Sequence, residues 1–251
     1  TAAAAATPKN CIRSNEVAMI AHIEGILSDK DAESVVIDAG GVSAGVVATA
    51  SNVNVANLTV QNAVGYDNGT DLLGAGITLA KNGSVIRNCI VRGSVNNHAG
   101  MSKKSLGGGV YLSGSAIFDS IVSNCTASGS TSAATDQCGG GVYVGADAGG
   151  SVISNCLIAS CACTDSANRY ACGGGVYGAN GASVLLVDSR ISGNMASAKG
   201  GGVYFFTTKS AAVSRCELSE NILDPNNTSS LNKFGAALAT ESASVTIRGC
   251  R

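Results

Sequence analysis

Charge is scarce in this sequence. Of 251 residues, 16 are Lys or Arg and 17 are Asp or Glu, for a net charge of −1, and no basic tract is present. Nucleic-acid binding draws on clustered cations that neutralise phosphates, so no nucleic-acid partner is expected. Proline is nearly missing, with 2 residues against 33 Gly. Low charge combined with Gly, Ala, Ser, Val and Asn is wrong for a helical enzyme and suits many short strands joined by tight turns. Long apolar runs are also lacking. The uncharged stretch 39–66 is broken by Gly, Ser and Asn, and no run approaches the ~20 apolar residues of a spanning helix. The opening "TAAAAATPKN" has neither a basic start nor a long apolar core, so no signal peptide is visible. The expectation is an exported chain whose signal has already been removed.

A repeat fills the rest. "GAGIT" starts at Gly74, "GGGVY" at Gly107, Gly139, Gly173 and Gly200, and "GAALA" at Gly235, at intervals of 27 to 35 residues. After each comes a second signal: "SVIRNCIV", "SIVSNCTA", "SVISNCLI", "LLVDSRI", "AVSRCEL" and "TIRGC", with an earlier copy "NVANLTV". A unit of this length with variable insertions marks a solenoid. The recurring pieces are Val/Ile/Ser/Gly strands of three to five residues, which excludes helical repeats. Val142 points in and Tyr143 out, Ile153 in and Ser154 out, then Cys156 and Ile158 in. One inward column is Ile77, Val110, Val142, Val176, Val203 and Leu238; a second is Ile86, Val122, Ile153, Leu186, Val213 and Ile247.

Three strands per unit, with a one-residue corner between the second and third, describe a rung of a parallel β-helix. The corner residues read as Asn57, Asn88, Asn124 and Asn155, then Asp188, Arg215 and Gly249. Asn, Asp and Gly tolerate the left-handed conformation a sharp corner needs, and Asn side chains stacked ~4.8 Å apart can bond along the ladder. Arg215 fits poorly, and a distorted corner is expected there.

The "GGGV" signal and the "[VI]xxN" signal (Val85 to Asn88, Ile121 to Asn124, Val152 to Asn155) resemble the GGA[ILV] and FxxN repeats of polymorphic outer-membrane proteins. They are equally similar to large right-handed β-helix surface proteins of environmental and gut bacteria. The resemblance spans about residues 35–251 and implies a surface-displayed β-helix. Val or Ile replaces the Phe of FxxN and no membrane barrel is found in these residues, so autotransport is not implied.

Before the first clear rung, "NEVAMIAHIEGIL" places Met19 or Ile20, Ile23 and Leu27 at helical spacing behind a possible Asn15 cap. A short capping helix is expected there, with an irregular first rung as the alternative. The chain stops at "TIRGCR" with no polar cap, and an open rung invites pairing with another chain.

Ten cysteines are present. Cys89, Cys125, Cys156, Cys216 and Cys250 read as one inward column of buried thiols. Cys138, Cys161, Cys163 and Cys172 are placed in loops, and loop disulfides are expected, which would imply an oxidising exterior. A metal site and free thiols are the alternatives, and the paired CxxC of zinc sites is lacking. Tyr111, Tyr143, Tyr177 and Tyr204 form an outward column beside the loops. Such a strip can stack on sugars, form a subunit interface, or be covered by the loops as a satellite core. Glycoside hydrolysis calls for two carboxylates facing across a bond, and no column of Asp or Glu occurs. The two histidines, His22 and His98, read as incidental.

The expected molecule is an all-β, right-handed parallel β-helix of seven to eight three-strand rungs over 35–251, behind a tail and capping segment over 1–34. Its expected role is structural or adhesive, at the cell surface or outside the cell, without catalysis or cofactor. Possible partners are a surface glycan, a host or cell-surface partner, or a second copy joined end to end. The rival expectation is a carbohydrate-binding or polysaccharide-cleaving β-helix.

Overall fold

The computed structural model describes residues 22–23, 26–30, 35–97, 103–129, 137–146, 149–165, 171–226 and 233–251. Short Val- and Ile-rich segments stack in parallel, each strand pairing with its counterpart about one repeat away. Alternation along a strand sends every second side chain inward, so each face contributes a column. On the first face Val46, Ile77, Val110, Val142, Val176, Val203 and Leu238 stand in register. On the second, the column is Val55, Ile86, Ile117, Ile153, Leu186, Val213 and Ile247. On the third it is Ile37, Val60, Val91, Val122, Ile158, Ile191 and Leu218. Apart from Ile247 on the last turn, which is 53% exposed, the three columns meet in one continuous core, where each enclosed aliphatic side chain contributes about 1.5–3 kcal/mol of transfer free energy.

The three faces are sheets of eight, seven and eight strands. Two further sheets of five strands arise between the third face and the next glycine signal. One is built from Val95–Asn97, Thr126–Gly129, Ala162–Asp165, Met195–Ala196 and Ile222–Leu223. The other is built from Tyr66–Asp67, Leu72–Leu73, Ser105–Leu106, Gln137–Cys138 and Ala171–Cys172. Six of the turns therefore carry more than the three strands read from the repeat.

This extra layer explains the triple glycines. Gly139 has φ +70°, and turns the chain into the first face. At Gly140 a Cβ would lie 2.4 Å from the Ala162 carbonyl and 2.4 Å from the Gly174 oxygen. Backbone passes over backbone there, and only glycine permits it.

Three expectations are corrected. The capping helix is absent over its second half: His22–Ile23 and Ile26–Lys30 are strands, antiparallel to Val46–Ala48 and Val35–Asp38. Residues 15–21 lie outside the described residues. The exposed ladder of the first rung offers backbone partners that outweigh a helical pattern already weakened by Gly25.

Asn124 does not share a corner with Asn57, Asn88 and Asn155. In its rung the first corner is Asp119, with φ +51°, and Asn124 makes the second corner, after Ile121–Ser123. Cys125 and Val122 move with it, and Ile117 takes the place assigned to Val122. Both corners need a left-handed residue followed by a small inward one, so "SNC" reads the same at either. Finally, the Arg215 corner is regular, with φ +52°, because its guanidinium is held by both oxygens of Asp188 at 2.6 and 2.8 Å.

Candidate functional site

The tyrosine column lies on the outward side of the first face. Tyr111, Tyr143, Tyr177 and Tyr204 are consecutive register partners. The first three rings stack 5.4 Å apart with interplanar angles of 13° and 6°, and Tyr204 tilts 58° from Tyr177. Offset stacking at this separation is favourable beyond simple burial. The added sheet folds back over the column. Leu73, Leu106, Cys172 and Ala198 close a second core on Tyr177, 7% exposed, and Tyr204, 3% exposed, with Tyr111 and Tyr143 half-buried at its margin. Of the three readings open for this column, its placement matches the satellite core. At its far end the Tyr204 hydroxyl donates to Glu241 at 2.8 Å, and the Lys199 ammonium pairs with the same carboxylate 5.0 Å from the Phe234 ring centroid.

The corners form a polar ribbon along the solenoid. Asn88 donates to the Asn57 carbonyl oxygen at 2.8 Å, and Asn155 to Asp119 at 2.9 Å. Arg87 pairs with Asp119 at 2.9 Å and Arg251 with Glu217 at 3.1 Å. Five carboxyls are held in the charged form by their partners. Arg215 lowers the pKa of Asp188, Arg251 that of Glu217, Lys199 that of Glu241, Lys103 that of Asp67, and Gln61 that of Asp38. A general acid needs the opposite shift. None of these five carboxyls is raised toward the range of a general acid.

The cysteines expected in loops are distributed differently. Cys161 is fully enclosed in the main core, one residue past the second corner, and its thiol meets that of Cys125. Cys163 packs with Ala127 and Ala171 in a small third cluster. Cys138 and Cys172 are register partners on neighbouring strands, as their shared position before three glycines predicts. The eight cysteines with described side chains, Cys161, Cys163 and Cys172 included, are not in disulfides. Burial pushes the Cys156 thiol up to about 11. Among the described residues no group of three His, Cys, Asp or Glu is placed to hold a metal.

A family model described as a right-handed β-helix region matches residues 41–251. The chain belongs to the right-handed β-helix family. No curated protein matches it.

Two features of this β-helix escaped the sequence reading. Asn194 and Asn221 are buried at the second corner, where Asn194 Nδ2 donates to Asn221 Oδ1 at 2.9 Å and Asn221 Nδ2 to the Ile191 backbone carbonyl at 2.8 Å. Their shared place after a left-handed residue, in "SGN" and "SEN", was the available signal. Phe205, fully buried, fills the space left by Gly178 on the preceding turn, where a Cβ would come 2.7 Å from its ring. Only register across turns reveals that compensation.

Proposed function

We propose that this β-helix is a non-catalytic structural or adhesive module working at the cell surface or outside the cell. The family holds polysaccharide lyases and hydrolases as well as proteins without catalysis, so the reading turns on side chains. One observation carries it. The second face presents an outward row of Val85, Ala116, Val152, Leu185 and Ala212 in register, with no acid or base among them. The row faces outward, with Leu185 40% exposed and the other four half-buried, while Tyr177 and Tyr204 of the first face are taken up by the satellite core. A contiguous apolar surface is suited to contact with another macromolecule and not to bond cleavage. The partner proposed for it is a cell-surface protein or glycan; end-to-end association of copies is a separate proposal for the solenoid axis.

The test pairs two measurements. Incubated with neutral and acidic polysaccharides, the protein is expected to release neither reducing ends nor unsaturated products. Coupled to beads, it is expected to retain cell-surface material, and Val152→Lys with Leu185→Lys to lose most of that retention without loss of fold, both side chains being outward. Cleavage in the first assay, or retention unchanged by the lysines in the second, overturns the reading.

A further inference from the structure

The turn between the first two glycine signals departs from the rest. Tyr66–Asp67 and Leu72–Leu73 pair antiparallel, with Tyr66 opposite Leu73 and Asp67 opposite Leu72. This hairpin ends the five-stranded sheet, its outer strand Tyr66–Asp67 being the last in the order. The tip is Asn68–Gly69–Thr70–Asp71, closed by the Asn68 N–H to the Asp71 carbonyl at 3.2 Å. The Asn68 side-chain oxygen accepts from the Thr70 and Asp71 amides at 2.9 and 2.8 Å. Its Nδ2 therefore faces away from the backbone, and it has no hydrogen-bond partner among the described residues. Asn68 and Thr70 are both exposed, and at Gly69, with φ +94°, nothing lies within 4 Å of an added Cβ.

Asn68-Gly69-Thr70 is one of six Asn-x-Ser/Thr triplets in the chain, at Asn57, Asn68, Asn82, Asn124, Asn226 and Asn227. The fold disables three of the others. Asn57 is locked at a left-handed corner, its carboxamide accepting from Asn88, and its Thr59 is buried within a strand. Ser84, the hydroxyl partner of Asn82, is buried and accepts the Val53 N–H at 3.1 Å. Asn124 is also left-handed, with the fully buried Cys125 between it and a Thr126 held in a strand. The hydroxyl partners of Asn226 and Asn227 lie outside the described residues.

We infer that Asn68 is a glycan acceptor presented by the folded protein, taking an activated sugar on Nδ2. In the transfer, Nδ2 attacks C1 of a nucleotide- or lipid-linked sugar. The N–C1 bond forms, the C1–O bond to the diphosphate breaks, the diphosphate leaves with the electron pair, and the amide proton passes to a base of the transferase. A sugar at this tip would shield the one open edge of the added sheet at that end, where an unpaired strand otherwise invites association. This chemistry does not depend on the adhesive reading.

The experiment uses an Asn-x-Ser/Thr-directed N-glucosyltransferase with UDP-glucose, acting on folded protein and on denatured chain, with occupancy read by peptide mass mapping. Asn68 is expected to be modified to a similar extent in both states and to lose the hexose in Asn68→Gln and Thr70→Ala. Occupancy at Asn57, Asn82 and Asn124 is expected to fall roughly tenfold or more on folding, since reaching them needs local opening. Folding that protects Asn68 as strongly as those three, or folded protein modified at them as readily as at Asn68, overturns the inference.

Discussion

At the scale of the residue, the corners show how one backbone requirement admits several side chains. Asn57, Asn88, Asp119, Asn155, Asp188, Arg215 and Gly249 all adopt positive φ at the first corner. Asn, Asp and Gly do so at low cost; Arg215 does so with its guanidinium anchored on Asp188. The same contacts set the response to acid. Asp38, Asp67, Asp188, Glu217 and Glu241 are all lowered from ordinary values of 3.8 for Asp and 4.5 for Glu. A depressed folded-state pKa adds stability that is present above the ordinary value and lost as pH falls through the depressed one. The melting temperature is therefore expected to be level from pH 7 to about 5 and to fall below about 4. Asp188→Asn should lower it at pH 7 and leave it unchanged below the carboxylate range. Because these pairs are exposed, high salt should shrink that difference. Equal effects of Asp188→Asn at both extremes of pH would show that the ion pair is not the source.

Each structural element has a buried and an open side, and the two differ in what they tolerate. Ile153 is fully buried on the strand Ser151–Ser154, while Ser154 beside it is outward. Ile153→Ala is expected to cost about 2–5 kcal/mol of unfolding free energy in a denaturant titration, as large-to-small core changes do, and Ser154→Ala close to nothing. Gly140→Ala adds a methyl where backbone already crosses backbone, and is expected to cost about 1–3 kcal/mol or more. Unchanged stability in Gly140→Ala would mean that the added layer does not press on the triple glycine. The elements also show where sequence reading stopped. The first-face column was legible because "GGGVY" marks its start. The second corner was not, because "SNC" there has the chemistry of the first.

On the scale of the whole molecule, stacking closes the thiols off in order of depth. Cys89, Cys125, Cys156, Cys161, Cys163, Cys172 and Cys216 are buried, while Cys250 is half-buried on the last described turn. Among the described thiols, reaction with a chromogenic disulfide near pH 8 should consume Cys250 first, and Cys156, whose thiol is pushed up to about 11, only on unfolding. Native Cys156 reacting as fast as Cys250 would show that the stack opens. The same assay on denatured, unreduced chain tests the loop disulfides, which would appear as missing thiols. From the sequence alone came the solenoid, its period, its left-handed corners and the nearness of Cys138 to Cys172, because these depend on local backbone preference and on alternation within a few residues. Tertiary structure alone decided that the connecting segments carry two more sheets, that Tyr177 and Tyr204 are enclosed, that Asn124 serves the second corner, and that Asn68 stands clear. Each of these depends on which turn lies over which, and that relation is a product of packing between repeats that no single repeat contains.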